Sequence, residues 1–149
     1  MQPFPHYYNV AAKGSAIGDV ELNAVRLPTL RSASPAEFGG PGDRWSPETL
    51  LVGAIGDCFV LTFRAAARAS GLAWDSLECD VTGTLDRIEK TTRFVAFEIR
   101  AHLTVPAGTD LERARLLLEK AERNCLISSS LSGHVHLSPT VEVTKEAAA

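Results

Sequence analysis

The chain has 149 residues, 45% hydrophobic and 22% charged, which suits one soluble globular domain spanning 1–149 with a core of its own. A net charge of −3 and a pI near 5.8 exclude the basic footprint of a nucleic-acid binder, and the arginines form no stripe for phosphates to follow. No uninterrupted apolar run reaches the roughly 18 residues of a membrane span. The start, Met1-Gln2-Pro3-Phe4-Pro5-His6, also lacks the basic-then-apolar pattern of a signal peptide, so a cytoplasmic protein with no membrane partner is expected.

The first third reads as extended. Tyr7 to Ala11 and Val20 to Val25 are short β-like runs, with Lys13 to Gly18 as the turn region between them. A loop rich in Pro, Gly and Ser follows from Ser32 to Trp45. Ser46-Pro47-Glu48 then opens a helix. Ser46 supplies a cap, Pro47 needs no donor at the first helical position, and Glu48 suits the positive end of the dipole. The helix is predicted to run to Ser70 and stop at Gly71. Its middle, Leu50 to Leu61, is apolar nearly all round, so it must be buried on most sides. One sheet in a domain of this size does not cover such a helix alone, which points to a second subunit as the remaining cover.

Leu77 to Ile88 and Arg93 to Val105 alternate and predict a hairpin joined by Asp86 to Thr92, with Phe94, Ala96 and Glu98 on one face and Val95, Phe97 and Ile99 on the other. Thr109-Asp110-Leu111-Glu112 matches a capping box with Thr109 as the cap. The helix after it runs to Asn124, with Leu111, Ala114, Leu117, Leu118, Ala121 and Cys125 on one stripe. Gly133 to Val143 is the last strand, with Pro139 marking an edge or bulge, and Thr144 to Ala149 is read as a loose tail.

The three cysteines are Cys58, Cys79 and Cys125. Their odd number and wide spacing argue against a disulfide framework. Cys58 lies mid-helix among apolar residues, where a small core residue is a common role for cysteine, and the adjacent Asp57 would raise its pKa. Cys125 follows a helix end, where the dipole is negative, so it makes a poorer nucleophile and a better resolving partner; burial on the apolar stripe is its other reading. Cys79, between Glu78 and Asp80 on a strand, reads as structural.

Three segments resemble the family of osmotically inducible protein C and organic hydroperoxide resistance protein (OsmC/Ohr). They are Gly39-Gly40-Pro41-Gly42 leading into Trp45-Ser46-Pro47-Glu48-Thr49-Leu50-Leu51, then Ala54-Ile55-Gly56-Asp57-Cys58-Phe59, and Lys120-Ala121-Glu122-Arg123-Asn124-Cys125-Leu126-Ile127-Ser128. Order and spacing agree with the family from about Tyr8 to Val143. The resemblance implies an α+β fold of curved antiparallel sheets around a long buried central helix, in an intertwined homodimer. It implies reduction of organic hydroperoxides, and more weakly of hydrogen peroxide, in the response to oxidative stress, without haem, flavin or metal. Cys58 matches the peroxidatic cysteine, Cys125 the resolving cysteine and Glu48 the active-site glutamate. A sulfenic acid on Cys58, a Cys58–Cys125 disulfide and reduction by a lipoyl-linked dithiol follow from the same resemblance. Phe59, Leu61 and Phe63 are available to line an apolar substrate pocket.

Glu48 precedes Cys58 by about 15 Å of helix, so the two do not touch within one straight helix. Glu48 acts on a second subunit's site or through a bridging arginine, or it is simply an acid stabilised by the helix dipole. The family's arginine has no counterpart at either of its usual places, Lys13 to Ala16 and Glu37-Phe38; Arg31 and Arg44 are the nearby substitutes. Leu126 stands where the family has proline after the second cysteine. A redox-sensing or small-molecule-binding dimer is the alternative reading. A metal site on His134 and His136 with Cys125 or His102 is a weaker one, and a cysteine hydrolase is weaker still because no histidine spacing marks a base.

Overall fold

The computed structural model describes residues 1–145; the end of the tail, residues 146–149, lies outside the described residues. The chain divides into two compact units, Met1–Leu51 and Val52–Ala149.

The first unit holds a three-stranded antiparallel sheet of β1 (Ala11–Lys13), β2 (Val20–Asn23) and β3 (Leu30–Ser32), in the order β1-β2-β3. β1 begins where the predicted first run ends, because Ala11 pairs with Asn23 and Lys13 with Glu21; the turn therefore starts after Lys13 rather than at it. The loop after β3 is closed at its base by a bridge between Ser32 and Trp45 and a 2.9 Å hydrogen bond from Ala33 N–H to the Trp45 carbonyl. Gly40 is required inside that loop, since a Cβ there would sit 1.6 Å from the Ser34 carbonyl oxygen.

Helix α1 spans Pro47–Ser70, with the bounds expected from Ser46 and Gly71. The Ser46 hydroxyl accepts from Thr49 N–H at 3.1 Å and the Thr49 hydroxyl accepts from Ser46 N–H at 2.8 Å. This is a reciprocal cap with threonine in the place glutamate usually takes. At the far end Gly71 adopts φ 65°, the left-handed stop. α1 is long and apolar enough to cross a membrane by length and composition, because scattered polar residues do not interrupt it as strictly as an unbroken-run criterion demands.

In the second unit β4 (Ser76–Ile88) and β5 (Thr91–Val105) form the expected hairpin. Its turn is tighter than predicted. Glu89 and Lys90 alone make it, at φ 48° and 70°, a left-handed pair that carries no glycine signal in the sequence. A bulge opposite Thr84/Leu85 leaves Val95 without a partner. It shifts the pleat by one residue, so Phe94 stacks on Phe97 with centroids 5.2 Å apart instead of facing away from it. Gly83 and Gly133 make room for this pair. A Cβ at Gly83 would meet Val52 at 2.8 Å and Phe94 at 2.9 Å, and one at Gly133 would meet Phe97 at 2.8 Å.

α2 (Leu111–Arg123) is capped by Asp110, whose carboxylate accepts from Arg113 N–H at 3.1 Å. The predicted capping box is one residue off. The Thr109 hydroxyl donates to the Pro106 carbonyl at 2.7 Å and is spent before the helix begins, while Glu112 pairs with Arg115. After α2 the chain makes a further short helix, α3 (Leu126–Ser129), and then β6 (His134–Val143). The fold class is α+β, as expected, with one departure: β6 runs parallel to β5, so this sheet is mixed rather than antiparallel throughout. The reason is topological. A strand that returns through a helical crossover enters the sheet in its original direction. β6 is an edge strand, which accommodates Pro139 opposite Ala101.

Every buried apolar residue among those described belongs to the second unit. α1 contributes Ile55, Phe59, Phe63 and Ala67, one stripe at four-residue spacing. β5 contributes Phe97, Ile99, Ala101, Leu103 and Val105, and α2 adds Ala114, Leu117, Leu118 and Ala121. Phe63 meets Trp74 edge-on at 5.4 Å. Away from its stripe α1 is only partly covered within the single chain, and Leu61 is 49% exposed.

Candidate functional site

The structure brings Cys58 and Cys125 together. Cys58 sits in the middle of α1, one residue before the buried Phe59, and is itself half-buried. Cys125 is fully buried and occupies the joint between two helices. Its N–H donates to the Glu122 carbonyl at 3.2 Å, closing α2, and its extended backbone then caps α3, with its carbonyl accepting from Ser129 N–H at 3.0 Å. A helix start leaves its first N–H groups without carbonyl partners. Here those groups act on the ionisation of the sulfurs, Leu126 and Ile127 on Cys58 and Ser128 on Cys125. α3 is the feature the sequence reading missed. With only four residues it carries no periodicity, and its one signal is the serine run after Leu126-Ile127.

The two thiols are pushed in opposite directions. Burial raises the Cys58 pKa, but hydrogen bonds from Ile127 N–H, the Cys125 thiol, the Thr62 hydroxyl and Leu126 N–H outweigh it, and the net shift is downward. The local expectation that Cys58 keeps a high pKa beside Asp57 is thereby reversed, because the deciding donors come from a segment distant in sequence. Burial raises the Cys125 pKa, and donating to Cys58 raises it further, against smaller opposing contributions from the Ser128 side chain and N–H. The Ser128 hydroxyl is buried beside this sulfur without a hydrogen bond of standard geometry. Both sulfurs are free thiols. The arrangement therefore sets one sulfur with a lowered pKa against a second with a raised one.

Cys79 lies on β4, opposite Ala101, and burial pushes its thiol up to about 11. Phe59 and Phe63, considered above as pocket lining, are 0% exposed and belong to the core, because they share the four-residue stripe of α1; Leu61 alone of the three reaches the surface. Glu48 stands in the first turn of α1, and its Oε2 is buried with no hydrogen-bond partner among the described residues. Arg44 is engaged with acids of its own unit, Asp19 at 3.1 Å and Asp43 at 3.1 Å. Arg31 lines an open cleft of about 430 Å³ together with Lys13, Gly14, Ser15, Asp19 and Glu21. His134 and His136 are exposed on β6, and His102 pairs with Glu142 at 3.1 Å. Among the described residues no three His, Cys, Asp or Glu side chains converge as metal ligands.

Residues 40–140 match the family model described as OsmC-like protein, more than half of the chain. The chain belongs to the OsmC-like family. An uncharacterized relative, YmaD of Bacillus subtilis (strain 168), is 28% identical over 106 residues, covering 69% of this chain and 71% of its own length. Among solved structures, the organic hydroperoxide resistance protein OsmC of Legionella pneumophila superposes with a TM-score of 0.72 at 25% identity, covering 93% of this chain and 100% of its own. An organic hydroperoxide resistance protein from Elizabethkingia anophelis superposes at 0.70 with 20% identity, covering 95% and 100%. This OsmC-like chain thus carries the family's fold, and the family includes proteins of hydroperoxide resistance.

Proposed function

We propose that this OsmC-like protein is a thiol peroxidase that reduces organic hydroperoxides, and more weakly hydrogen peroxide, to the corresponding alcohols or water in the response to oxidative stress. The observation that carries the reading is the pair itself, a Cys58 whose pKa is lowered beside the buried Cys125 whose pKa is raised. The Cys58 thiolate attacks the outer oxygen of R–O–O–H. An S–O bond forms, the O–O bond breaks, two electrons pass from sulfur to the peroxide, and the departing alkoxide takes up a proton to leave as the alcohol. Cys125 then attacks the sulfenic sulfur. An S–S bond forms and the hydroxyl leaves as water. A dithiol, by family resemblance lipoyl-linked, reduces that disulfide by exchange.

Glu48 is assigned a supporting role at the site, and its unpartnered buried Oε2 is the observation in its favour, since a buried carboxylate oxygen calls for a donor. The family resemblance and the partly covered surface of α1 support a homodimer. The composition supports the cytoplasm, with no nucleic-acid or membrane partner, and the family resemblance implies that no cofactor is bound. A second reading, a redox sensor or small-molecule-binding dimer, is favoured by one observation: Arg44, a candidate to steady the thiolate, is occupied by Asp19 and Asp43.

The test is to add one equivalent of cumene hydroperoxide to the prereduced protein and count free thiols. The peroxidase reading expects two thiols lost in the wild type, none in Cys58→Ser, and a sulfenic acid trapped in Cys125→Ser. A wild-type protein that keeps all its thiols over many minutes overturns it in favour of the binding reading.

A further inference from the structure

We infer that Thr62 is a positioning residue for the Cys58 sulfur, its hydroxyl donating to the thiolate across one turn of α1. The inference rests on the reading of Cys58 as the reacting thiol, and it concerns a residue to which neither the motif match nor the sequence reading assigns a role. Cys58 and Thr62 are four residues apart and so share one face of the helix. The Cys58 sulfur and the Thr62 hydroxyl are 3.9 Å apart. The usual partner of a helical serine or threonine hydroxyl is the carbonyl four residues back. Other hydroxyls of this chain follow that rule. Ser70 Oγ donates to the Ala66 carbonyl at 2.9 Å, Ser129 Oγ to Cys125 at 2.8 Å, and Ser130 Oγ to Leu126 at 2.8 Å. Thr62 departs from it: among the described residues its hydroxyl has the Cys58 sulfur as its one hydrogen-bond partner.

The chemistry favours such a donor. A hydroxyl stabilises an anion without bringing a charge of its own into an apolar helix that already carries Asp57. Thr62 also differs in kind from the other donors to Cys58. Leu126, Ile127 and Cys125 belong to the α2–α3 joint, an element separate from the one that carries the Cys58 sulfur. Thr62 shares α1 with Cys58, so the helix itself sets the hydroxyl's place one turn from the sulfur.

The experiment uses the full-length prereduced protein with Thr62→Val, which keeps the shape and removes the hydroxyl, and Thr62→Ser, which keeps the hydroxyl. Cys58 ionisation is read as thiolate absorbance near 240 nm and as iodoacetamide alkylation rate against pH, each with Cys58→Ser subtracted. Thr62→Val should move the Cys58 midpoint upward and slow alkylation at neutral pH by about 3–10-fold, the effect of one lost hydrogen bond of ordinary net strength. Thr62→Ser should restore most of the wild-type profile. An unchanged profile in Thr62→Val, or an equal shift in Thr62→Ser, overturns the inference, the latter by showing that the methyl group and its packing are responsible. Should Thr62→Val lose its fold by circular dichroism, Thr62→Ala against Thr62→Ser decides by the same readout. Neither measurement uses a peroxide, so failure of the peroxidase reading shows separately, as a wild type that titrates as described yet loses no thiols to cumene hydroperoxide.

Discussion

The Cys125 thiol faces the Cys58 sulfur from the joint between α2 and α3, and the two pull each other's ionisation apart: Cys125 is among the donors that lower Cys58, and Cys58 in turn adds to the burial that raises Cys125. The pair divides its labour through this one contact. The sulfur on the long helix is shifted downward and the buried sulfur upward.

Removing the donor should therefore change Cys58 without touching it. Cys125→Ala is expected to raise the Cys58 pKa and slow its alkylation at neutral pH several-fold, while Cys125→Ser, which keeps a hydroxyl, does so less. Because the folded-state pKa of Cys58 is depressed, the reduced fold binds fewer protons there than the unfolded chain does. The resulting stability is present above the unfolded value and is lost as pH falls through the folded one. Urea midpoints of wild type and Cys58→Ala across that window check the sign.

Cys79 should behave in the opposite sense. Its thiol is held up at about 11 against an ordinary 9.0, so the folded protein keeps a proton that the unfolded chain releases between those values. The associated stability is full below pH 9 and is lost as pH rises through the folded value. Cys79→Ala should flatten the alkaline loss of stability in urea titrations, and Cys79 should be the last thiol of the native protein to react with iodoacetamide.

The Phe94–Phe97 stack leaves no space for a methyl group on either glycine beside it. Gly83→Ala places a Cβ 2.8 Å from Val52 and 2.9 Å from Phe94, and Gly133→Ala places one 2.8 Å from Phe97. Each should cost about 1–3 kcal/mol by overpacking, measured by urea unfolding. A neutral Gly83→Ala would contradict the packing described here.

The start of α2 distinguishes two caps. Asp110→Ala should destabilise the protein by about 1 kcal/mol, since it frees the Arg113 N–H that Asp110 now satisfies. Glu112→Ala should cost less, because Glu112 serves only an exposed pair with Arg115. The reverse order would restore the capping box centred on Thr109.

The stripe of α1 offers the largest effect. Phe59 is 0% exposed, and Phe59→Ala should cost about 3–5 kcal/mol. Leu61→Ala, at a site 49% exposed in the single chain, should cost far less unless a second subunit covers it, so its effect at high and low protein concentration reports on the homodimer.

Much of the fold was legible from local chemistry. Ser46, Pro47 and Gly71 mark the bounds of α1, and alternation marks β4 and β5, because caps, fixed φ angles and side-chain periods act over a few residues. What was misread also acts locally but leaves a weak trace. The Glu89-Lys90 turn uses left-handed residues without glycine, and the Val95 bulge moves Phe94 to the other face without any change in composition. α3 is too short for periodicity, and β6 enters parallel because of a crossover that no window of residues contains.

The same division holds for the site. The order and spacing of three segments were enough to suggest the family, and that resemblance, rather than residue type alone, is what singled out Cys58, Cys125 and Glu48. The direction of the Cys58 pKa was out of reach, because neighbours in sequence supply Asp57 and an apolar helix, both of which push it up. Only tertiary structure brings the freed N–H groups of Leu126 and Ile127 and the thiol of Cys125 to that sulfur. Ionisation responds to distance in space, and those donors lie more than sixty residues away along the chain.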